Sequence, residues 1–136
     1  MIVVNSKDEL KKLIWRRIEE QGPKCNLNDI DVSMIKDMSL LFYSSIFDGD
    51  ISQWDVSNVE NMEFMFSDSK FNGDISAWDV SSVECMDSMF DGSQFTGDIS
   101  KWNVSNVKYM RDMFEDSPLI GNEPSWYKEW TSPLRY

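Results

Sequence analysis

Apolar side chains return along this chain at a fixed interval of 24 positions. Ile51, Trp54, Val56, Val59, Met62, Met65, Phe66 and Phe71 recur as Ile75, Trp78, Val80, Val83, Met86, Met89, Phe90 and Phe95, and the set starts again at Ile99. Glycine, aspartate, serine and asparagine fill the intervals. A fixed period of this length marks units that cannot bury an apolar side alone and that stack to make a shared core. Moving back by 24 from Ile51, Trp54, Val59, Met62 and Phe66 lands on Leu27, Ile30, Ile35, Met38 and Phe42, and Asp31-Val32-Ser33 repeats Asp55-Val56-Ser57. The copies are therefore four: 23–46, which is degenerate, then 47–70, 71–94 and 95–118. Within each copy, β-forming residues among Ser, Asp and Asn predict one or two very short parallel strands joined by a bend. The three-and-four spacing of Met62, Met65 and Phe66 predicts a short helical turn. Ser67-Asp68-Ser69-Lys70 is turn chemistry.

The flanks break the period. Residues 1–22 read as a capping helix: Ser6-Lys7-Asp8-Glu9 has the form of a capping box, and Leu10, Leu13, Ile14 and Ile18 make one apolar stripe. Gly22 and Pro23 stop it, and Ile2-Val3-Val4 is a candidate strand before it. Residues 119–136 carry Trp126, Tyr127 and Trp130 after Pro124, and are expected to form a helical cap over the last copy. An uncovered end would expose apolar side chains and strand edges.

The phrase Gly49-Asp50-Ile51-Ser52-Gln53-Trp54-Asp55-Val56-Ser57-Asn58-Val59, closing on Met62 and Met65-Phe66, resembles the repeat of BspA-like leucine-rich-repeat proteins of bacteria, mycoplasma surface lipoproteins among them. Leu27-Asn28-Asp29-Ile30-Asp31-Val32-Ser33 is similar to the first-repeat phrase of that family, and the likeness extends over residues 25–118. It implies an α/β repeat: a leucine-rich-repeat-like right-handed solenoid of short parallel strands and short helical turns. It also implies protein binding, often at cell surfaces, and no enzyme activity, so no catalytic residues carry over. The N-terminus has no basic n-region, no apolar run reaches a membrane span, and no lipid-attachment cysteine stands near the start. A cytoplasmic interaction protein is therefore expected ahead of a surface adhesin.

Charge narrows the partner. The formal net charge is -11, and 18 of the 24 acidic residues lie in 23–118. Such a surface repels nucleic acid and anionic membranes and suits a protein with a basic surface; solubility alone would also account for it. Cys25 and Cys85 occupy different positions of the repeat, so a disulfide is not expected, and free thiols fit a reducing compartment. Histidine is absent, and with it the commonest general base and the usual triads. No phosphate loop or paired Cys-x-x-Cys is present. Neither an enzyme nor a cofactor is expected.

Three sets of columns remain. Asp50, Asp74 and Asp98 form one aspartate ladder, and Asp31, Asp55 and Asp79, continued by Asn103, form another. Stacked carboxylates should raise one another's pKa. Two readings offset that: local turn hydrogen bonds, or calcium, although the spacing matches no established calcium loop. The column Ile30, Trp54, Trp78, Trp102 is either core or an exposed aromatic surface, and its alternation with Asp55 favours core. The positions that vary between copies are the candidate protein-binding face: Gln53, Ala77 and Lys101 in one column; Glu60, Glu84 and Lys108 in a second; Glu63, Asp87 and Arg111 in a third. The middle copies are acidic there and the last is basic. The functions consistent with this face are a general protein-binding module, a phage or mobile-element inhibitor (anti-CRISPR-like) whose acidic face occupies the basic site of a host defence nuclease, and, more weakly, adhesion.

Overall fold

The first helix follows from its capping residues and its stripe. In the computed structural model, which describes residues 1–131, helix α1 spans Lys7–Gln21. Ser6 is extended at the N-cap and its Oγ accepts the Glu9 amide at 3.1 Å. The Glu9 carboxylate does not return to Ser6, as a capping box would have it; it accepts the Asn5 amide, one residue earlier. Leu10 and Ile14 are buried, and Leu13 and Ile18 pack half-buried on the same core. Gly22, with φ 89°, ends the helix and donates to the Ile18 carbonyl at 2.8 Å.

Two ties fasten α1 across the first copy. The Arg17 guanidinium grips both Asp29 oxygens, at 2.9 and 2.6 Å. Lys7 Nζ reaches Asp37 Oδ2, Ser39 Oγ and the Ser39 carbonyl, at 3.1, 2.9 and 3.2 Å. Strand β1, Ile2–Val3, pairs in parallel with β2, Ile30–Asp31, and Val4 beyond it is buried.

Elsewhere the expected parallel pairing is reduced to single bridges 24 residues apart, Asp37 with Asn61, Asn61 with Cys85 and Cys85 with Tyr109, and a further one joins Asn26 to Asp50. The pairing continues as ladders of amides. Met38, Leu40, Phe42 and Ser44 donate to the carbonyls of Asn61, Glu63, Met65 and Ser67, at 2.8 to 3.0 Å. The same four-rung ladder runs from the second copy to the third and from the third to the fourth.

This ladder overturns the expected helical turn at Met-x-x-Met-Phe. Alternate amides, such as Leu41, Tyr43 and Ser45, turn back only three residues, to Met38, Leu40 and Phe42. Their neighbours point outward to the next copy. A helix aligns all its amides along one axis and cannot divide them this way. The chain instead makes a run of turns with left-handed residues at Leu40, Phe64, Ser88 and Asp112, and again at Ser44, Asp68, Gly92 and Asp116.

The repeated apolar columns are the core. Phe42, Phe66, Phe90 and Phe114 stack with ring centres 5.5 to 5.8 Å apart and within 6° of parallel. Phe47, Phe71 and Phe95 form a second stack at 6.0 and 6.3 Å. Trp54, Trp78 and Trp102 are buried, and each indole N–H donates to a carbonyl of the copy before: Leu27, Ile51 and Ile75, at 2.9, 3.1 and 3.0 Å. A buried indole needs such a partner.

Helix α2, Ser125–Thr131, covers the last copy, and residues 132–136 of the expected cap lie outside the described residues. The cap begins as a fifth copy. Leu119, Gly121 and Trp126 stand 24 residues after Phe95, Gly97 and Trp102. Trp126 stacks on Trp102 at 6.4 Å, and its N–H donates to Ile99 at 2.9 Å, continuing the tryptophan column. Tyr127 meets Phe114 edge-on at 5.0 Å.

Candidate protein-binding face

The aspartates of the two ladders are occupied within their own turns. Asp50, Asp74 and Asp98 accept the amides of Ser52, Ser76 and Ser100, and Asp55 and Asp79 those of Ser57 and Ser81, all at 2.9 to 3.0 Å. Asn103 does the same for Ser105. The Asp-x-Ser spacing lets one carboxylate oxygen close the turn. The expected rise in pKa is therefore reversed. Side-chain and backbone hydrogen bonds from Ser76, Ser81 and Ser100 hold Asp74, Asp79 and Asp98 below the usual carboxylate range, and the Ser52 amide leads the same shift at Asp50. The charge of Asp50 pushes Asp74 upward, but as the smallest of the effects on it. Among the described residues, no group of three or more His, Cys, Asp or Glu side chains is placed to hold a metal ion. Cys25 and Cys85 are free thiols.

With the constant apolar columns inside and the constant aspartates occupied in their turns, the variable columns remain on the outer surface. The amides of Glu60, Glu84 and Lys108 donate to the carbonyls of Lys36, Glu60 and Glu84, at 2.7 to 2.8 Å, so these side chains form one continuous row. Lys36 extends the row, which runs basic, acidic, acidic, basic. Glu63, Asp87 and Arg111 form the next row, in register with the turn ladder. Glu60, Lys108 and Arg111 are exposed; Glu63, Glu84 and Asp87 are half-buried.

The step from acid to base is partly closed on itself. Lys108 Nζ meets Glu84 Oε1 at 2.9 Å, which raises the lysine's pKa, and Asp87 Oδ1 accepts the Arg111 amide at 2.7 Å. Glu60, Glu63 and the Arg111 guanidinium have no ion-pair partner among the described residues. Gln53, Ala77 and Lys101 are exposed in a different part of the repeat, after the aspartate turn, where Ala77 and Lys101 line a shallow hollow of about 260 Å³ with Ser76 and Asp98.

A further concavity holds none of the candidate residues. A groove of about 690 Å³ runs between α1 and the first copy, floored by Ile14, Ile18, Leu41 and Tyr43 and rimmed by Trp15, Lys11, Lys12 and Arg16. Its signal in the sequence is a set of misfits. Trp15 is apolar but lies off the stripe of α1. Tyr43 stands where the second copy has Ser67. Among the described residues, no helix is long and apolar enough to cross a membrane.

Residues 14–127 match the family described as "Mycoplasma protein of unknown function, DUF285". No curated protein and no solved structure matches the chain. The family match covers the whole repeat array and both of its junctions with the caps, and the chain therefore belongs to the DUF285 family, which is related to the BspA-like mycoplasma surface repeat proteins.

Proposed function

We propose that this chain is a leucine-rich-repeat-like solenoid that works by binding another protein through the columns in which its copies differ. The observation that carries this reading is the division of labour within the repeat. The constant apolar columns are core, the constant aspartates and serines close turns, and the constant glycines leave room for the Phe47, Phe71 and Phe95 rings, while Glu60, Glu84, Lys108 and Glu63, Asp87, Arg111 make two adjacent rows on the outside. Interfaces gain specificity and association rate from such charge order. A partner that is basic opposite the middle copies and acidic opposite the last would complement it. The excess of acid on the repeats also supports a narrower form of the reading: inhibition of a nucleic-acid-handling enzyme by occupying its basic site.

The test is capture from the native host with the wild-type chain and with a variant carrying Glu60→Gln, Glu63→Gln, Glu84→Gln and Asp87→Asn. A partner retained by the wild type, released by salt and lost with the variant supports the reading. A partner held equally by both removes this face. Unchanged near-ultraviolet circular dichroism shows that the variant keeps its fold. Displacement of the partner by a polyanion would support the inhibitor form.

A further inference from the structure

We infer that the groove between α1 and the first copy binds an extended, acidic segment of another protein, which adds to the open edge of the turn ladder. The edge is read from hydrogen bonds. In the second copy the carbonyls of Glu63, Met65 and Ser67 each accept an amide from the copy before, and the third and fourth copies repeat this. The first copy has no copy before it. There Lys7 Nζ serves the Ser39 carbonyl, while the carbonyls of Leu41 and Tyr43 accept no hydrogen bond among the described residues. These two carbonyls belong to residues that floor the groove. An edge with two successive open acceptors is matched by a segment that presents alternate amides, as an extended chain does. A helix has already used its amides internally and does not match it.

The side chains define the occupant's chemistry. The floor is apolar, and of the aromatic groups lining the groove Trp15 is 65% exposed and Tyr43 48%. Exposed aromatic groups gathered at one concavity mark a contact site. The rim is cationic in a chain whose net charge is -11. Lys11 and Arg16 have no ion-pair partner among the described residues, and Lys12 holds only Asp8, one turn away on the helix in an exposed pair; Glu19 is the one acid on the rim. An extended segment that alternates acidic and apolar side chains places its apolar set on Tyr43, Leu41 and Ile18 and brings its carboxylates to Lys11 and Arg16. This groove does not include the variable columns of the middle copies, so loss of one site leaves the other standing.

The test uses the full chain and short synthetic peptides, titrated by calorimetry and followed through the amide resonances of the protein. The probe alternates aspartate and valine. One control replaces aspartate by lysine, and a second keeps the sequence but N-methylates the backbone so that it cannot donate. Saturable binding of the aspartate peptide is expected, with shifts confined to Leu41–Ser45 and α1. The double variant Lys11→Glu, Arg16→Glu, both at exposed positions, is expected to weaken it at least about tenfold, and N-methylation to weaken it similarly. Absence of saturable binding, equal binding of the lysine peptide, or indifference to either change overturns the inference. So does a concentration-dependent rise in mass with shifts in the same groove, since the occupant would then be a second copy of this chain.

Discussion

At Gly73 the backbone of one copy passes close to that of the copy before it. A Cβ there would lie 2.7 Å from Phe71 Cε1 and 3.0 Å from the Gly49 carbonyl oxygen, so the ring or the stacked backbone must shift. Gly73→Ala is expected to cost about 1–3 kcal/mol, the usual penalty for overpacking, read as a lower midpoint in thermal or urea unfolding. Gly121→Ala is the comparison: nothing lies within 4 Å of its Cβ, and only its φ of 89° resists, so a loss near 1 kcal/mol is expected. The carboxylates divide in the same local way. Asp74, Asp79 and Asp98 sit below the usual range because serine hydrogen bonds favour the charged form, so what they contribute to stability is present above the ordinary aspartate pKa and is lost as pH falls through their own. Asp91 is the reverse. Burial first, then the charges of Asp116, Asp68 and Asp112, raise its pKa. The folded state holds that proton more tightly than the unfolded one, so the cost of its charge grows as pH rises. Asp91→Asn is therefore expected to raise the melting temperature at pH 7 by about 1–2 °C. The gain should vanish below about pH 4, where the native carboxyl is also neutral. Melting curves at the two pH values check both halves.

Among the elements, α2 shows how a cap can be made from the repeat itself. Trp126 stacks on Trp102 and donates to Ile99, as each tryptophan below it does to its own predecessor. Trp126→Ala is expected to cost about 2 kcal/mol, less than the ~3–5 of a fully buried tryptophan because the side chain is half-exposed, and to promote association through the uncovered end. Trp126→Phe keeps the stacking and loses the donor, for about 1 kcal/mol. Chemical denaturation and light scattering read the two effects separately. The tryptophan was legible as a fifth member, since it falls 24 residues after Trp102, but Glu123 and Pro124 replace Ile99 and Ser100 and break the phrase around it. The helix α1 and the Met and Phe columns of the core were legible, because capping and period act through near neighbours or through identity between copies, but the Glu9 carboxylate reaches Asn5 rather than Ser6 and the tryptophan column could be read as core or as surface. The Met-x-x-Met-Phe turns were not. Their spacing fits a helix equally well, and what excludes a helix is that every second amide serves the next copy. At the candidate face, the row of Glu60, Glu84 and Lys108 could be read from the period, whereas the half-burial of Glu63, Glu84 and Asp87 could not. The groove was least visible, because its open carbonyls belong to the backbone and leave no mark in side-chain identity.

For the molecule as a whole, the ladders set a strict condition on length. The rungs between copies join an amide to a carbonyl 23 residues on, or to one 24 or 25 residues back, so the copies are interchangeable only in whole units. Deleting 71–94 joins Lys70 to Phe95, a junction equivalent to Lys70–Phe71, and brings every column of the last copy onto the second. Phe95 then stacks on Phe47 and Phe114 on Phe66, and the Trp102 indole faces the Ile51 carbonyl that Trp78 now occupies. The surface also survives the splice, because Lys108 comes beside Glu60 in place of Glu84 and keeps an acidic neighbour. Stability in a stacked array is close to a sum of copy and interface terms, so the shortened chain should fold cooperatively with a lower midpoint. Deleting 71–93 instead is expected to prevent cooperative unfolding altogether. One residue out of phase sets Asp and Ser against the apolar columns and turns the left-handed positions onto residues that must lie inside. Near-ultraviolet circular dichroism and thermal unfolding of the two deletions provide the comparison. Equal behaviour would mean that the copies hold together by general apolar contact rather than by the register of their ladders.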